Sequence, residues 1–223
     1  MTGLTPFQRR QQISRSLELP NRWDQFWVER PILARQRLRE IQGQCNRRGK
    51  VRFSRFRPRD ADAHGSQDVW SVLELLDAVV RQQPADHAVE VNATWHGLRE
   101  TLAAAVDAGC ADVALLLENS QPIAFAYNAH HHSHVETLQL LTDPRVPDAA
   151  DLLIGHMLRD EIRRGDTRHL FLPHSTTNVT VDWSMWQCSG FAESLVTYYR
   201  RPSPRLHLLR WLDGASRLQA VSP

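Results

Sequence analysis

Asp112-Val-Ala-Leu-Leu-Leu-Glu-Asn-Ser-Gln-Pro-Ile-Ala-Phe-Ala-Tyr-Asn128 opens the stretch, ending at Arg164, around which the chain is organised. Val113 to Glu118 is a short apolar run that reads as a strand, and Asn119-Ser120-Gln121 with Pro122 reads as a turn. Ile123 to Leu141 then alternates through two further β-favouring segments, so the pattern is that of successive hairpins. The loop Thr142 to Asp148 holds Pro144 and Pro147. After it, Leu153/Met157 and Ile154/Leu158 recur at i,i+4 on an amphipathic helix. A strand running into a helix N-terminus prepares a place for an anion, because unpaired amides and the helix dipole point at the connecting loop.

Outward from this centre the reading is less regular. Residues 1 to 20 are polar and arginine-rich with scattered Leu, which suggests a frayed or peripheral helix. Asn21 caps a short helix carrying Trp23, Phe26 and Trp27, Pro31 interrupts it, and Ala34, Leu38, Ile41 and Cys45 form a narrow apolar stripe ended by Gly49. Its other face, with Arg35, Arg37, Arg39, Arg47 and Arg48, reads first as a solvated surface and second as a phosphate-binding one. Val51, Phe53 and Arg55 alternate against Arg52, Ser54 and Phe56 in a first strand. Helices are expected from Ser66 through Val80 and from Thr94 through Val106, the second stopped by Gly109. Beyond Arg164 come a strand over 168–172, one or two helical turns at Trp183–Cys188, a last strand over 191–199 and a closing helix over 206–212.

The order is α/β (α+β): a mixed, mainly antiparallel sheet flanked by helices, preceded by an N-terminal helical arm. One parallel crossover joins the strand ending near Leu141 to the strand from Arg168 through a helix. Ligands gather where such a sheet splays.

With 223 residues, 42% hydrophobic and 23% charged, the chain can bury one ordinary core. No apolar run approaches the roughly 20 residues of a membrane span, and the first ten residues lack the apolar centre of a secretory signal, so a cytoplasmic protein is expected. Cys45, Cys110 and Cys188 are too few and too far apart for a disulfide framework or a C-x-x-C metal site. Residues 1–60 carry fifteen of the 27 Lys+Arg and five of the 25 Asp+Glu. That is an excess of ten bases there against an excess of eight acids beyond, an asymmetry that suits an arm meeting an anionic partner or an acidic body. Nucleic acid is not the expected partner, because residues 9–59 lack interleaved exposed aromatics and any recognition motif.

His130, His131, His132 and His134 cluster where a hairpin must turn, with no Cys or carboxylate pair fixed nearby by spacing, so no metal is expected. His130 or His134 serves better as a proton acceptor, since an unperturbed imidazole titrates near neutrality. Asn128, Tyr127 and Glu136 can line the same cleft, although Tyr127 reads more readily as core.

Gln121-Pro-Ile-Ala-Phe-Ala-Tyr-Asn128 with His130-His131, the Asp143-Pro144 pair, His156-Met-Leu-Arg-Asp160 with Arg164-Gly-Asp166, and Trp183 resemble the GNAT (Gcn5-related N-acetyltransferase) fold, in its CelD-like and FemAB-like branch found beside polysaccharide and cell-wall functions. The resemblance implies a basic helical arm over 1–48 and an acyltransferase domain over 51–214. It implies acetyl-CoA or another acyl-CoA as co-substrate, its pyrophosphate on the amides of Ala149, Ala150 and Asp151, and its thioester carbonyl polarised by strand-edge amides near Leu140 and Leu141. His134 or Glu136 would be the base, with His130 the further candidate. The acceptor would be an amine of a small molecule or of a cell-wall glycan. Relatives in this branch carry a further lobe before the basic helix, so a second copy or a partner subunit is expected to take its place.

The chain departs from the pattern at two places. Pro147-Asp-Ala-Ala-Asp151 stands where a glycine-containing loop is usual, and its two acids would repel phosphate or cap the helix, the second being the reading preferred. Thr180-Val-Asp-Trp183 stands where relatives have Lys-x-x-Trp, and threonine carries no charge. The two acids imply weak acyl-CoA binding, and the missing lysine implies reduced or absent turnover. Together they also leave open a non-catalytic module that uses the basic arm to bind a partner.

Overall fold

The computed structural model describes residues 5–58, 69–83, 95–97, 99–100, 102, 104–146, 148–172, 181 and 183–199. The caps expected at Ser66 and Thr94, the closing helix over 206–212 and the Thr180 position lie outside these residues. In chain order the elements are β1 (Thr5–Glu18), α1 (Trp23–Glu29), α2 (Ile32–Arg48), β2 (Val51–Phe56), α3 (Val69–Arg81), a helical stretch within 95–107, β3 (Ala111–Glu118), β4 (Gln121–His131), β5 (His134–Thr142), α4 (Ala149–Arg164), β6 (His169–Leu172), α5 (Trp183–Trp186) and β7 (Ser189–Tyr199).

These strands form a seven-stranded sheet in the order β2-β3-β4-β5-β6-β1-β7. The β2–β3, β3–β4, β4–β5 and β1–β6 pairings are antiparallel, and β5–β6 is parallel. The mixed, mainly antiparallel sheet with one crossover is therefore present, and α4 is the crossover helix. The chain divides into two compact units, residues 14–191 and residues 1–13 with 192–223. Strands β2 to β6 and the crossover helix all belong to the first.

Residues 111–118 are buried along nearly their whole length, which explains why they read as a continuous apolar run rather than an alternation. Successive side chains go to two cores. Ala114, Leu116, Ala124, Ala126, Val135 and Leu140 pack with Phe26, Ile41, Cys45 and the apolar face of α4. Val113, Leu115, Leu117, Phe125, Tyr127 and Leu141 pack with Val72, Leu76, Val79, Val80, Trp95 and Leu102. The sheet is thus covered on both faces, with α1, α2 and α4 over one and α3 with the 95–107 stretch over the other.

Local chemistry accounts for the joints. Asn119 and Ser120 both take positive φ (51° and 68°), the geometry of a two-residue hairpin turn between β3 and β4. Gly165 is left-handed (φ 73°) and its N–H donates to Glu161 O at 2.9 Å, closing α4. Gly49 is extended, and a Cβ there would overlap the Asn119 carboxamide, whose Oδ1 accepts from the Lys50 N–H at 3.0 Å.

Residues 5–18 overturn the expected frayed helix: they are a strand, and Arg15 to Glu18 pair with Leu172 to His169. Gln, Arg and Leu favour a helix locally, but the open edge of β6 supplies backbone partners, and Leu17 and Leu19 are buried with the α4 core.

Candidate functional site

The sheet opens between β5 and β6. Their parallel pairing is limited to His134↔His169, Val135↔Leu170 and Glu136↔Phe171. β6 pairs β1 along its other edge over His169–Leu172 and ends there, while β5 runs on to Thr142 with β4 as its partner. Just past the last shared row the β4–β5 ladder slips: Asn128 faces Thr137 but Tyr127 faces Gln139, so Leu138 is an extra residue. A bulge bends its strand and increases the local twist. Leu138 is 43% exposed, an apolar side chain on the lip of the opening.

Side chains on the two faces of this opening differ. His134 and Glu136 share one face and are both exposed. The His134 ring stands edge-on to Phe171 at 5.8 Å and lies 5.2 Å from His169, so that wall is aromatic and imidazole-rich. His130 is opposite Val135 in the register and so belongs to the other face, with Nε2 3.9 Å from Asp166 Oδ2. Burial, and then the charge of Arg57, hold its pKa below the ordinary histidine value despite the nearby carboxylates. The structure brings His134 and Glu136 together and sets His130 apart. Leu140 and Leu141 are buried on opposite faces of β5. Tyr127 is core, as its apolar neighbours imply.

The opening of α4 is closed over. Ala149 and Ala150 have no exposed surface, and the Ala149 N–H donates to Val146 O at 3.0 Å. Asp148 makes no side-chain cap; its carboxylate pairs with Arg37 of α2 at 2.9 Å. Asp151 is buried and accepts a hydrogen bond from Trp186 Nε1–H at 3.3 Å. The capping role expected of these acids is therefore corrected. Asp148 is drawn off by a nearby guanidinium, and Asp151 is taken by an indole that packs against the helix.

Behind the opening, beneath the C-terminal half of α4, lies an ion cluster that the sequence did not reveal. Arg55 Nε donates to Asp112 Oδ1 at 2.7 Å, and Arg55 also binds Glu161 and, at 3.3 Å, Asp160. Arg57 Nη2 donates to Asp112 at 3.0 Å and to Glu161. Thr167 Oγ1 donates to Glu161 Oε2 at 2.6 Å. Arg163 and Arg164 close the outer side on Asp160, each at 2.8 Å. The four central side chains are at most 4% exposed. Burial opposes the charges of Arg55 and Asp112. It is outweighed by the carboxylates around Arg55, whose pKa is raised, and by the two arginines around Asp112, whose pKa is held below the ordinary carboxylate value. The available signal was parity: Arg55 alternates with Val51 and Phe53 on a face that would otherwise be apolar.

Among the described residues no three His, Cys, Asp or Glu side chains converge as metal ligands, and no helix is long and apolar enough to cross a membrane.

No curated protein matches the chain by sequence. Among solved structures, the C-terminal domain of a proposed lysylphosphatidylglycerol synthetase from Agrobacterium fabrum superposes with TM-score 0.55 at 12% identity, over 93% of this chain and 65% of that one. A GCN5-related N-acetyltransferase from Kribbella flavida superposes at 0.46 and 11%, over 90% and 61%. FemX does so at 0.41 and 10%, over 93% and 68%. The chain thus spans less than two thirds of the Agrobacterium and Kribbella chains, and at such identities the likeness is one of fold. Residues 33–177 match the acetyltransferase (GNAT) domain, which is more than half of the chain. The chain therefore belongs to the GNAT acetyltransferase domain family.

Proposed function

We propose that the chain transfers an acyl group from acyl-CoA to an amine at the opening between β5 and β6. The observation that carries this reading is the end of parallel pairing at Glu136↔Phe171, two residues before the bulged Leu138. A strand edge inside a sheet then presents backbone groups to a ligand instead of to a neighbouring strand. A thioester lying along β5 would have its carbonyl oxygen near the amides between Leu138 and Leu141, where hydrogen bonds strengthen as negative charge develops. The amine attacks the carbonyl carbon, Glu136 takes its proton directly or through water, and the C–S bond breaks to release CoA as a thiol. His134, on the same face, is the second group able to hold that proton.

Several features support this donor and setting. Arg37 and Arg145 offset Asp148 and Asp143 in the β5–α4 loop, so the loop that would meet the phosphates is not net anionic. The Ala149 N–H is already bonded to Val146 O at 3.0 Å and Ala149 and Ala150 have no exposed surface, which supports weak binding of the diphosphate. Three free thiols suit the cytoplasm. For the acceptor we propose an amine of a small molecule or of a cell-envelope glycan.

The test is thiol release from acetyl-CoA and longer acyl-CoAs over a panel of amines, beside calorimetric titration with the same donors. Turnover that falls about 10²–10⁴-fold in Glu136→Gln supports the assignment. Neither heat nor thiol release with any donor would leave a non-catalytic module as the correct reading.

A further inference from the structure

Asp112, Asn128 and Thr137 stand directly beside one another across β3, β4 and β5. They share the face that packs under α4, since Asn128 alternates with Ala124 and Ala126, and Thr137 with Val135. Asp112 is saturated by Arg55 and Arg57. Its two neighbours are not. Asn128 has no exposed surface and Thr137 is 5% exposed, yet Asn128 Oδ1 and Nδ2 and Thr137 Oγ1 have no hydrogen-bond partner among the described residues. A buried polar group left so is destabilising, because it has given up its hydrogen bonds to water without replacement. Apart from Asp112 and Thr142, the other side chains that these strands bury in this core are apolar, so leucine and valine would serve the fold better here.

Their position explains why polar groups stand there. Thr137 is the first residue of β5 beyond the last row shared with β6, and it immediately precedes the bulged Leu138. It therefore stands at the vertex of the opening, with Asn128 next to it. The carboxamide offers an acceptor and two donors, and the hydroxyl offers one donor and an acceptor. The adjoining cluster is charge-balanced, Arg55 and Arg57 against Asp112 and Glu161, so it sets up no net field for an ion.

We infer that Asn128 and Thr137 determine specificity for the acyl group, receiving an uncharged hydrogen-bonding substituent, a hydroxyl or an amide, close to the thioester. The inference rests on the acyl-transfer reading and goes beyond it by naming the class of acyl group. A donor with a polar acyl group replaces the missing partners, whereas a plain alkyl group of the same length leaves them buried and unpaired.

The experiment compares 3-hydroxybutyryl-CoA, butyryl-CoA and CoA itself as ligands of the full chain and of Asn128→Leu and Thr137→Val. The expected result is about tenfold tighter binding of the hydroxyacyl thioester than of butyryl-CoA, with the ratio falling to near one in either variant. Binding of both thioesters with no such preference overturns this inference and leaves acyl transfer standing. Equal weakening of all three ligands, CoA included, moves the hydrogen bonds to the carrier and overturns the acyl-group assignment. Binding of none overturns both readings. Thermal unfolding without ligand supplies an independent arm: both variants should melt higher than the parent, and a clear loss of stability in both would show that the polar atoms are partnered by the fold.

Discussion

Replacing Asp112 by Asn removes one charge from the ion cluster at almost constant volume. Asp112 has no exposed surface and takes hydrogen bonds from both Arg55 and Arg57, so the variant leaves two buried guanidinium groups sharing Glu161, with Asp160 3.3 Å from Arg55 and Asp166 3.5 Å from Arg57. Breaking a buried pair from one side costs about 3–5 kcal/mol, and because Glu161 remains, the lower end, about 3 kcal/mol, is expected. Urea unfolding at pH 7 measures it as a lower midpoint at unchanged slope. The control is Glu118→Gln, which removes the partner of Arg48 in a pair 43% and 17% exposed and should cost under about 1 kcal/mol. The pH dependence has a definite sign. The Asp112 pKa is lower folded than unfolded, so its contribution is complete above the unfolded value of about 3.9 and is lost as pH falls through the folded one. The gap between parent and variant should stay level from neutrality to about pH 4 and close below it. A gap at pH 7 no larger than that of Glu118→Gln would refute the reasoning.

Three further outcomes are expected. Asp151→Ala strips the Trp186 indole N–H of its acceptor in a buried site and should cost about 1–3 kcal/mol by urea unfolding, whereas no loss would mean the indole bonds elsewhere. Burial pushes the Cys188 thiol up to about 11 against the pull of Arg15 and Arg30. Its alkylation by iodoacetamide, followed by peptide mass, should therefore rise with pH until that value, and rapid labelling at pH 8 would contradict it. At Gly155 a Cβ would stand 3.0 Å from Leu38 and 3.3 Å from Trp186, so Gly155→Leu should destabilise by about 1–3 kcal/mol through overpacking of α2 on α4; a neutral result would mean the two helices separate easily.

Much of the scaffold was legible without coordinates. β3, β4 and β5 are apolar runs bounded by Asn-Ser and His-Ser turns, α4 has its i,i+4 pairs, and α3 its apolar face. Residues 5–18 were misread because their composition favours a helix, while the strand forms by pairing with β6, some 150 positions along the chain. At the site, Glu136, His134 and Asn128 were visible as polar residues among apolar ones. Which of them meet was not visible, since one extra residue at Leu138 changes the register beyond it. The roles of Asp148 and Asp151 depended on Arg37 and Trp186, neither of them a local neighbour.

The sequence by itself determined the strands, turns and crossover of the central region, because periodicity and turn chemistry act over windows of about ten residues. It also determined the family through residues that carry the fold. Only the tertiary structure decided that Arg55, Arg57, Asp112 and Glu161 are one neutral cluster, and that the side chains of Asn128 and Thr137, beside the opening, have no hydrogen-bond partner among the described residues. Those partners lie 55 to 106 positions apart in the cluster, and the vertex exists only where two distant strands stop pairing. Burial turns such meetings into energy: a charge or carboxamide that would be indifferent in water must find its partner once the sheet and α4 have closed over it.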